Sequence, residues 1–150
     1  MVSAYSANVL DIVFQNRIHF HLELRGRITQ VYGESATGKS LLGYVIRATE
    51  KYNRGNPDVE YDVSKVLYID SLEEMNKIKN RSGDLIIIDR GDAFLTDDQV
   101  NMIREDKNNT YLVISRRIID LGISPNYYAE FVECDGRVEL RYKYSVEGWN

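Results

Sequence analysis

Residues Gly33–Ser40 read GESATGKS, and the rest of the chain is interpreted from this stretch. It matches the pattern G-x-x-x-x-G-K-[ST] at every fixed position. Residues 27–32 read as a strand, and Leu41 and Leu42 begin an apolar pattern of helical spacing. In such a loop, glycines let successive N–H groups point at a phosphate, and the helix N-terminus adds its positive dipole. The sequence therefore predicts a phosphate-binding loop made of Gly33, Glu34, Ser35, Ala36, Thr37, Gly38, Lys39, Ser40 and Leu41.

Two side chains at the end of this loop have specific predicted roles. Lys39 is expected to reach the β- and γ-phosphates of a nucleotide, which makes it a catalytic candidate as well as a binding residue. Ser40 is expected to offer its hydroxyl to the Mg²⁺ that accompanies the nucleotide. The predicted cofactors are therefore a nucleotide, which we take to be ATP, and Mg²⁺.

On this motif the chain resembles the P-loop NTPases. The resemblance implies a second acidic element, a hydrophobic strand that ends in Asp and holds the Mg²⁺ shell. Segments 66–70 and 85–89 both qualify. The second, LIIID, has four consecutive aliphatic residues, which suits a central strand buried on both faces. We therefore assign Asp89 to the metal and expect Asp70 to support the next helix, with an exchange of these two roles as the alternative.

The remaining pattern alternates strands with helices. Segments 9–14 and 18–24 predict an N-terminal antiparallel pair, and Asp135-Gly136 predicts a hairpin turn near the C-terminus. Ser71 with Glu74, and Thr96 with Gln99, predict capping boxes that open two further helices. The expected fold is a single α/β domain over residues 1–150. It is a three-layer P-loop NTPase core with a mostly parallel sheet, an N-terminal antiparallel strand pair and a C-terminal β-hairpin.

Strand order narrows the resemblance to the RecA/AAA-like branch of ATPases. In that branch the strand ending at Ser115 lies between the loop-bearing strand and the Asp89 strand, and it aims polar residues at the γ-phosphate. Ser115, Arg116 and Arg117 are therefore candidate sensors, with Arg116 the catalytic candidate. The alternative is that the two arginines only begin a solvated loop. ATP is the expected nucleotide because the chain lacks the N-K-x-D segment with which GTP-specific relatives read guanine.

The chain departs from the pattern of active ATPases at one catalytic position. Those enzymes usually carry Glu directly after the metal-binding Asp, and here that position is Arg90, which cannot act as a base. Hydrolysis would need another carboxylate, either Asp92 or Glu34. The helical insert of ABC ATPases and the helical lid of AAA+ modules are also not found in the sequence.

Composition and charge argue against several classes of function. Hydrophobic residues make up 43% and charged residues 28%, and no apolar run reaches membrane-spanning length. A net charge of −4 and a pI near 5.2 leave nucleic-acid binding unsupported. The N-terminus lacks a secretory pattern, so we expect a cytoplasmic protein. His19 and His21 share one strand face, but without a third ligand in the sequence they are interpreted as a solvated pair.

Three functions remain from these observations. The first is a small ATPase with slow or partner-dependent hydrolysis, in which a protein partner or a second copy of the chain supplies the missing catalytic groups. The second is an ATP-binding switch or assembly module without turnover. The third is a small-molecule or nucleoside kinase.

Overall fold

Strands are the most frequent secondary-structure element of the structure. The computed structural model describes residues 2–33, 39–53 and 61–144. The strands are β1 (Val2–Ser3), β2 (Tyr5–Ser6), β3 (Val9–Phe14), β4 (Ile18–Glu23), β5 (Ile28–Tyr32), β6 (Tyr61–Asp62), β7 (Val66–Ile69), β8 (Leu85–Ile88), β9 (Thr110–Ser115), β10 (Tyr128–Cys134) and β11 (Arg137–Tyr142). The α-helices are α1 (Lys39–Asn53), α2 (Gly91–Phe94) and α3 (Asp97–Glu105), and two 3₁₀ helices span Leu72–Asn80 and Pro125–Tyr127.

Nine strands form one mixed sheet in the order β2-β3-β4-β11-β10-β5-β9-β8-β7. The pairs from β10 through β7 are parallel, and so is the pair of β11 with β4. The pairs β2-β3, β3-β4 and β10-β11 are antiparallel. The short strand β1 pairs with β6, and the Ala4 N–H donates to the Asp62 carbonyl at 2.8 Å. Because β1 leads into the first strand of the sheet and β6 into the last, these contacts curl the sheet into a nearly closed, barrel-like form.

The prediction of a three-layer α/β P-loop core is therefore wrong. Among the described residues, strands outnumber helices, and the sheet is mixed and nearly closed. The N-terminal strand pair and the C-terminal hairpin were expected beside a parallel core. They instead become part of the sheet, because β11 pairs with β4 while β10 pairs with β5. Those two backbone ladders connect segments far apart in sequence, and no local pattern signals them.

Two hydrophobic cores lie on opposite faces of the strands. The first core occupies the inner face of the curled sheet, where the apolar side of α1 packs through Leu42, Val45 and Ile46. It includes residues of both the antiparallel and the parallel strands. The second core covers the other face of the parallel strands and is closed by α2, α3 and the 3₁₀ helix Leu72–Asn80. Strand β8 is completely buried between the two cores, which confirms the interpretation of its unbroken aliphatic run.

The two predicted capping boxes have different outcomes. At α3, the Thr96 side chain accepts from the Gln99 N–H and the Gln99 side chain accepts from the Thr96 N–H, so this box is confirmed. At residue 71 the prediction is wrong. The Ser71 hydroxyl donates to Glu74 Oε1 at 3.3 Å and accepts no capping bond, and the segment that follows is a 3₁₀ helix. Within the described ranges, no helix combines the length and the hydropathy that a membrane crossing requires.

Candidate functional site

The carboxyl ends of four parallel strands meet along one edge of the sheet. Strand β9 lies between β5 and β8, and β7 is the outer neighbour of β8. The last residues of each neighbouring pair are in register or nearly so. The residues that end or directly follow these strands therefore share this edge: Gly33, Asp70, Asp89 and Ser115. In open parallel sheets and in closed parallel barrels alike, ligands bind at the carboxyl ends of the strands, where the loops are free to carry polar groups.

The loop that begins at Gly33 leaves the sheet at this edge. The Gly33 N–H donates to the Ser115 carbonyl at 3.1 Å, which extends the β5–β9 ladder by one bond. Gly33 has a φ of 126°, a conformation that glycine adopts without strain. The predicted binding residues Glu34, Ser35, Ala36, Thr37 and Gly38 lie outside the described residues, as do the side chains of Lys39 and Ser40. The backbone of α1 begins at Lys39, and Leu41 is exposed on its first turn.

Asp89 is a buried carboxylate on the α1 side of the sheet. Leu85 and Ile87 contribute to the first core, so the alternation of the strand continues onto the same side at Asp89. Its Oδ2 accepts a short hydrogen bond from the hydroxyl of Tyr68 on the neighbouring strand β7. Burial raises the pKa of Tyr68 well above its ordinary value, and this hydrogen bond raises it further. The hydroxyl therefore stays protonated and donates.

Tyr68 also fixes the distance between Asp89 and α1. Its ring lies directly against Gly43, where an added Cβ would meet the ring and the hydroxyl oxygen at 2.3 Å. Gly43 is one turn beyond Lys39 and Ser40. One tyrosine hydroxyl thus contacts both the backbone of α1 and the Asp89 carboxylate. Asp89 consequently lies beside the first turns of the helix that follows the glycine loop.

Asp70 is held by a different residue of α1. Arg47 donates to both Asp70 oxygens, at 3.1 and 3.0 Å, and to Glu74 Oε1 at 3.2 Å. Its guanidinium also lies 4.9 Å from the centroid of the Tyr68 ring. Burial by itself raises the pKa of Asp70, but the bonds from Arg47 outweigh it and hold the pKa below its ordinary value. The contact supports the expectation that Asp70 stabilises the structure around the segment 72–80.

The Ser115 hydroxyl stabilises the turn that follows β9. Its hydroxyl donates to the Arg117 carbonyl at 2.5 Å and lies 3.1 Å from the buried amide of Gln30. The Gln30 amide is fully satisfied when its nitrogen donates to the Ile119 carbonyl at 3.0 Å and its oxygen accepts from the Ile119 N–H at 2.8 Å. Gln30 thereby fixes the path of this turn, while the side chains of Arg116 and Arg117 are exposed. Their role as sensors stays a prediction.

Arg90 and Asp92 follow Asp89 closely in sequence, and both side chains are exposed. Arg90 occupies the position where active ATPases carry a base, and Asp92 is a candidate base. Arg90 has left-handed backbone angles, φ 57° and ψ 39°, which are uncommon for a residue with a side chain. Its charge contributes to the lowered pKa of Asp70. Asp92 belongs to α2, which packs through Gly91 against Val113 and Ile119 of the second core. Asp92 is thus carried by a helix on the face opposite α1, and its role as the base stays a prediction.

Sequence reasoning missed Tyr68 and Arg47, although two signals for them exist. Tyr68 and Asp70 follow the alternation of β7, so both face the same side as Asp89. A glycine in the interior of α1 marks a close approach, and Arg47 lies four residues beyond Gly43 on the same helix face. No family model, curated protein or solved structure matches the chain, so the interpretation of the site depends on its own geometry.

The contact between Gly43 and Tyr68 generates a stability prediction. Gly43→Ala should destabilise the protein by up to about 2 kcal/mol, since overpacking against the Tyr68 ring costs about 1–3 kcal/mol and the gain in helix propensity returns about 1 kcal/mol. Urea denaturation followed by circular dichroism measures this change.

The matched control removes the aromatic ring. In a Tyr68→Leu background the added methyl group meets no ring, so Gly43→Ala should there be neutral or stabilising. A Gly43→Ala variant that is more stable than the parent chain with Tyr68 in place would contradict the packing described above.

Proposed function

We propose that the chain is an ATP-binding protein that holds Mg²⁺–ATP at the Gly33–Ser40 loop and hydrolyses it slowly or only with a partner. The observation that carries this proposal is the position of Asp89. Tyr68 connects its carboxylate to Gly43, next to the first turn of α1, and the loop joins β5 to that helix. Phosphate groups held at the N-terminus of α1 would therefore lie near a buried carboxylate, as a Mg²⁺ ion requires.

The order of elements around the motif supports nucleotide binding. Strand β5 ends at Tyr32, Gly33 follows with its positive φ, and α1 begins at Lys39. This strand, loop and helix arrangement is the context that gives the motif its physical meaning. The glycine loop would supply N–H donors, the helix its dipole, and Lys39 a positive charge near the terminal phosphates.

The hydrogen-bond partners of the two aspartates favour Asp89 over Asp70 as the metal residue. Both oxygens of Asp70 accept from Arg47, so its negative charge is already compensated. Among the described residues, the Asp89 carboxylate has a hydrogen bond only to the Tyr68 hydroxyl, a neutral group, and only through Oδ2. Its charge therefore remains available to the hydrated Mg²⁺ ion.

Slow turnover follows from what surrounds Asp89. The next residue is Arg90, which cannot accept a proton, and the carboxylate of Asp92 is carried by α2 on the opposite face. A positioned general base typically contributes about 10²- to 10⁴-fold to a rate. A protein partner or a second copy of the chain would have to supply that carboxylate or an arginine finger, which in P-loop enzymes contributes about 10³- to 10⁵-fold. We place the protein in the cytoplasm, where ATP and Mg²⁺ are both present.

The second candidate is an ATP-binding switch without turnover, and Arg90 is the observation that favours it. A cation next to the metal-proximal carboxylate suits tight binding of a polyphosphate as well as it disfavours proton transfer. A small-molecule or nucleoside kinase, which would use Asp70 or Asp89 near an acceptor hydroxyl, is the third candidate. No observation favours it, and both oxygens of Asp70 already accept from Arg47.

Binding of ATP is tested through the loop lysine. Lys39→Ala should weaken ATP binding by at least about tenfold, equivalent to about 1.4 kcal/mol, because the point charge on the phosphates is lost. Isothermal titration calorimetry with Mg²⁺–ATP measures this change. Lys51→Ala is the matched control, since Lys51 is an exposed lysine in the last turn of the same helix. Equal affinities for the two variants would remove the assignment of the loop.

The metal site is tested by comparing two isosteric variants. Asp89→Asn should abolish the part of the ATP affinity that depends on Mg²⁺, while Asp70→Asn should retain most of it. Asparagine can still accept the hydrogen bond from Tyr68, so the change at residue 89 removes charge rather than packing. Titration of ATP at several Mg²⁺ concentrations gives both values. The opposite order of effects would assign the metal to Asp70.

The absence of a general base next to Asp89 is tested by substitutions of Arg90. Arg90→Glu should raise the rate of phosphate release by up to about 10²-fold, the lower end of what a positioned base contributes. Arg90→Gln is the control, because it removes the positive charge without adding a base. Glutamine and glutamate have comparable conformational free energies in the left-handed backbone conformation of residue 90. Brisk hydrolysis by the unmodified chain that survives Asp92→Asn and Glu34→Gln would contradict this account.

A further inference from the structure

The outer face of the antiparallel strands carries a cluster of three side chains that the proposed nucleotide site does not use. Strands β3 and β4 pair antiparallel, and Asp11 lies directly opposite His21. His19 is two residues before His21, so it projects from the same face. The sequence shows the two histidines, but only the register of the pair reveals the third side chain. The premise of the solvated-pair interpretation, that the two histidines lack a third potential ligand, therefore needs correction.

The three side chains converge on one point. Asp11 Oδ1 lies 3.1 Å from His19 Nε2, and Asp11 Oδ2 lies 2.6 Å from His21 Nδ1. One ligand atom from each residue lies within 4.8 Å of those of the other two. Two donors that each lie about 2.1 Å from a common Zn²⁺ ion are about 3.4 Å apart at the tetrahedral angle. The spacing of this cluster therefore needs only small side-chain rotations to accept such an ion.

The strand alternation holds these side chains at the surface while fixing their backbones. Leu10, Ile12, Phe20 and Leu22 of the same two strands are fully buried in the first core. Asp11, His19 and His21 alternate with them and keep side-chain exposures of 40%, 30% and 23%. The cluster is consequently anchored by a rigid pair of strands and remains open to solvent on one side. That combination suits a site from which an ion can exchange.

The contact between His21 and Asp11 brings a nitrogen and a carboxylate oxygen to one place. His21 Nδ1 lies 2.6 Å from Asp11 Oδ2, and a neutral imidazole with its proton on Nδ1 donates this hydrogen bond. A metal ion that binds Nδ1 would replace this proton and would have the Asp11 carboxylate beside it as a second ligand. The remaining proton of His21 would then be on Nε2, which lies 4.0 Å from Glu23 Oε1.

We propose that Asp11, His19 and His21 form a binding site for a divalent transition-metal ion of the Zn²⁺ type. Two imidazoles and one carboxylate are the donor set of open zinc sites and of the facial triad that binds Fe²⁺. Mg²⁺ and Ca²⁺ prefer oxygen ligands, so they are not candidates for this cluster. Three protein ligands leave at least one coordination position for water or an anionic ligand. The site is on the opposite half of the sheet from the glycine loop, and the proposal is independent of ATP binding.

Direct metal titration tests the proposal on the full chain. Metal-free protein should bind one equivalent of Zn²⁺ by calorimetry in the absence of nucleotide, and Co²⁺ should give visible d–d absorption bands. Asp11→Asn, His19→Gln and His21→Gln should each weaken Zn²⁺ binding by at least about tenfold, or about 1.4 kcal/mol. Asp97→Asn, which removes an exposed carboxylate from the first turn of α3, should leave the affinity unchanged.

Two further controls separate this site from other sources of binding. Cys134 is an exposed thiol, so the titrations are made in a Cys134→Ser background. The chain contains only two histidines, so the imidazole C–H resonances in a proton NMR spectrum report this cluster alone without any variant. Both sets of resonances should shift with Zn²⁺ and broaden with Co²⁺.

Three results would overturn the proposal. One is the absence of Zn²⁺ binding at neutral pH with unperturbed histidine resonances, which would show that a proton alone bridges the cluster. Another is binding that disappears with Cys134→Ser. The last is an affinity that none of the three ligand substitutions changes. Thermal unfolding of each variant, followed by circular dichroism, confirms that the compared proteins are folded.

Discussion

The parallel pairing of β5 with β9 is the contact on which the geometry of the candidate nucleotide site depends. It extends beyond the last residue of β5, because the Gly33 N–H donates to the Ser115 carbonyl. The start of the glycine loop is thereby fixed at the level where β9 ends. Strand β9 in turn sets the level of β8, and β8 that of β7. Two carboxylates from separate segments reach the same edge only because these three ladders stay in register.

The helix that follows the loop is held by two kinds of contact of different strength. Leu42, Val45 and Ile46 are buried in the first core, and full burial of one such side chain stabilises by about 1.5–3 kcal/mol. The ion pair of Arg47 with Asp70 is partly exposed, and pairs of that kind contribute about 0–1 kcal/mol. Apolar packing therefore holds α1 on the sheet. The polar contacts of Arg47 and Tyr68 orient the end of β7 relative to the helix.

The two halves of the sheet offer different chemistry because their faces are covered differently. Helices cover the parallel strands on both faces. Polar side chains of a functional site can therefore reach solvent only at the strand ends, where Asp89 lies. The antiparallel strands β3 and β4 bury one face in the first core and leave the other to solvent. Polar side chains therefore project along the length of these strands, and Asp11 can meet His21 across the pair. One continuous sheet thus carries two separate polar sites.

The amino-acid pattern predicted what depends on neighbours in the chain: the strand that ends at Tyr32, the helix that begins at Lys39, the buried run of β8, and the capping box at Thr96. It failed where distant segments pair. The N-terminal strand pair and the C-terminal hairpin join the other strands in one curled sheet, because β11 pairs with β4 and β10 pairs with β5. The contacts of Tyr68 with Asp89, Arg47 with Asp70 and Asp11 with the histidines also depend on register and helix placement. Local periodicity assigns a residue to a face, but only tertiary packing determines which other residue it meets there.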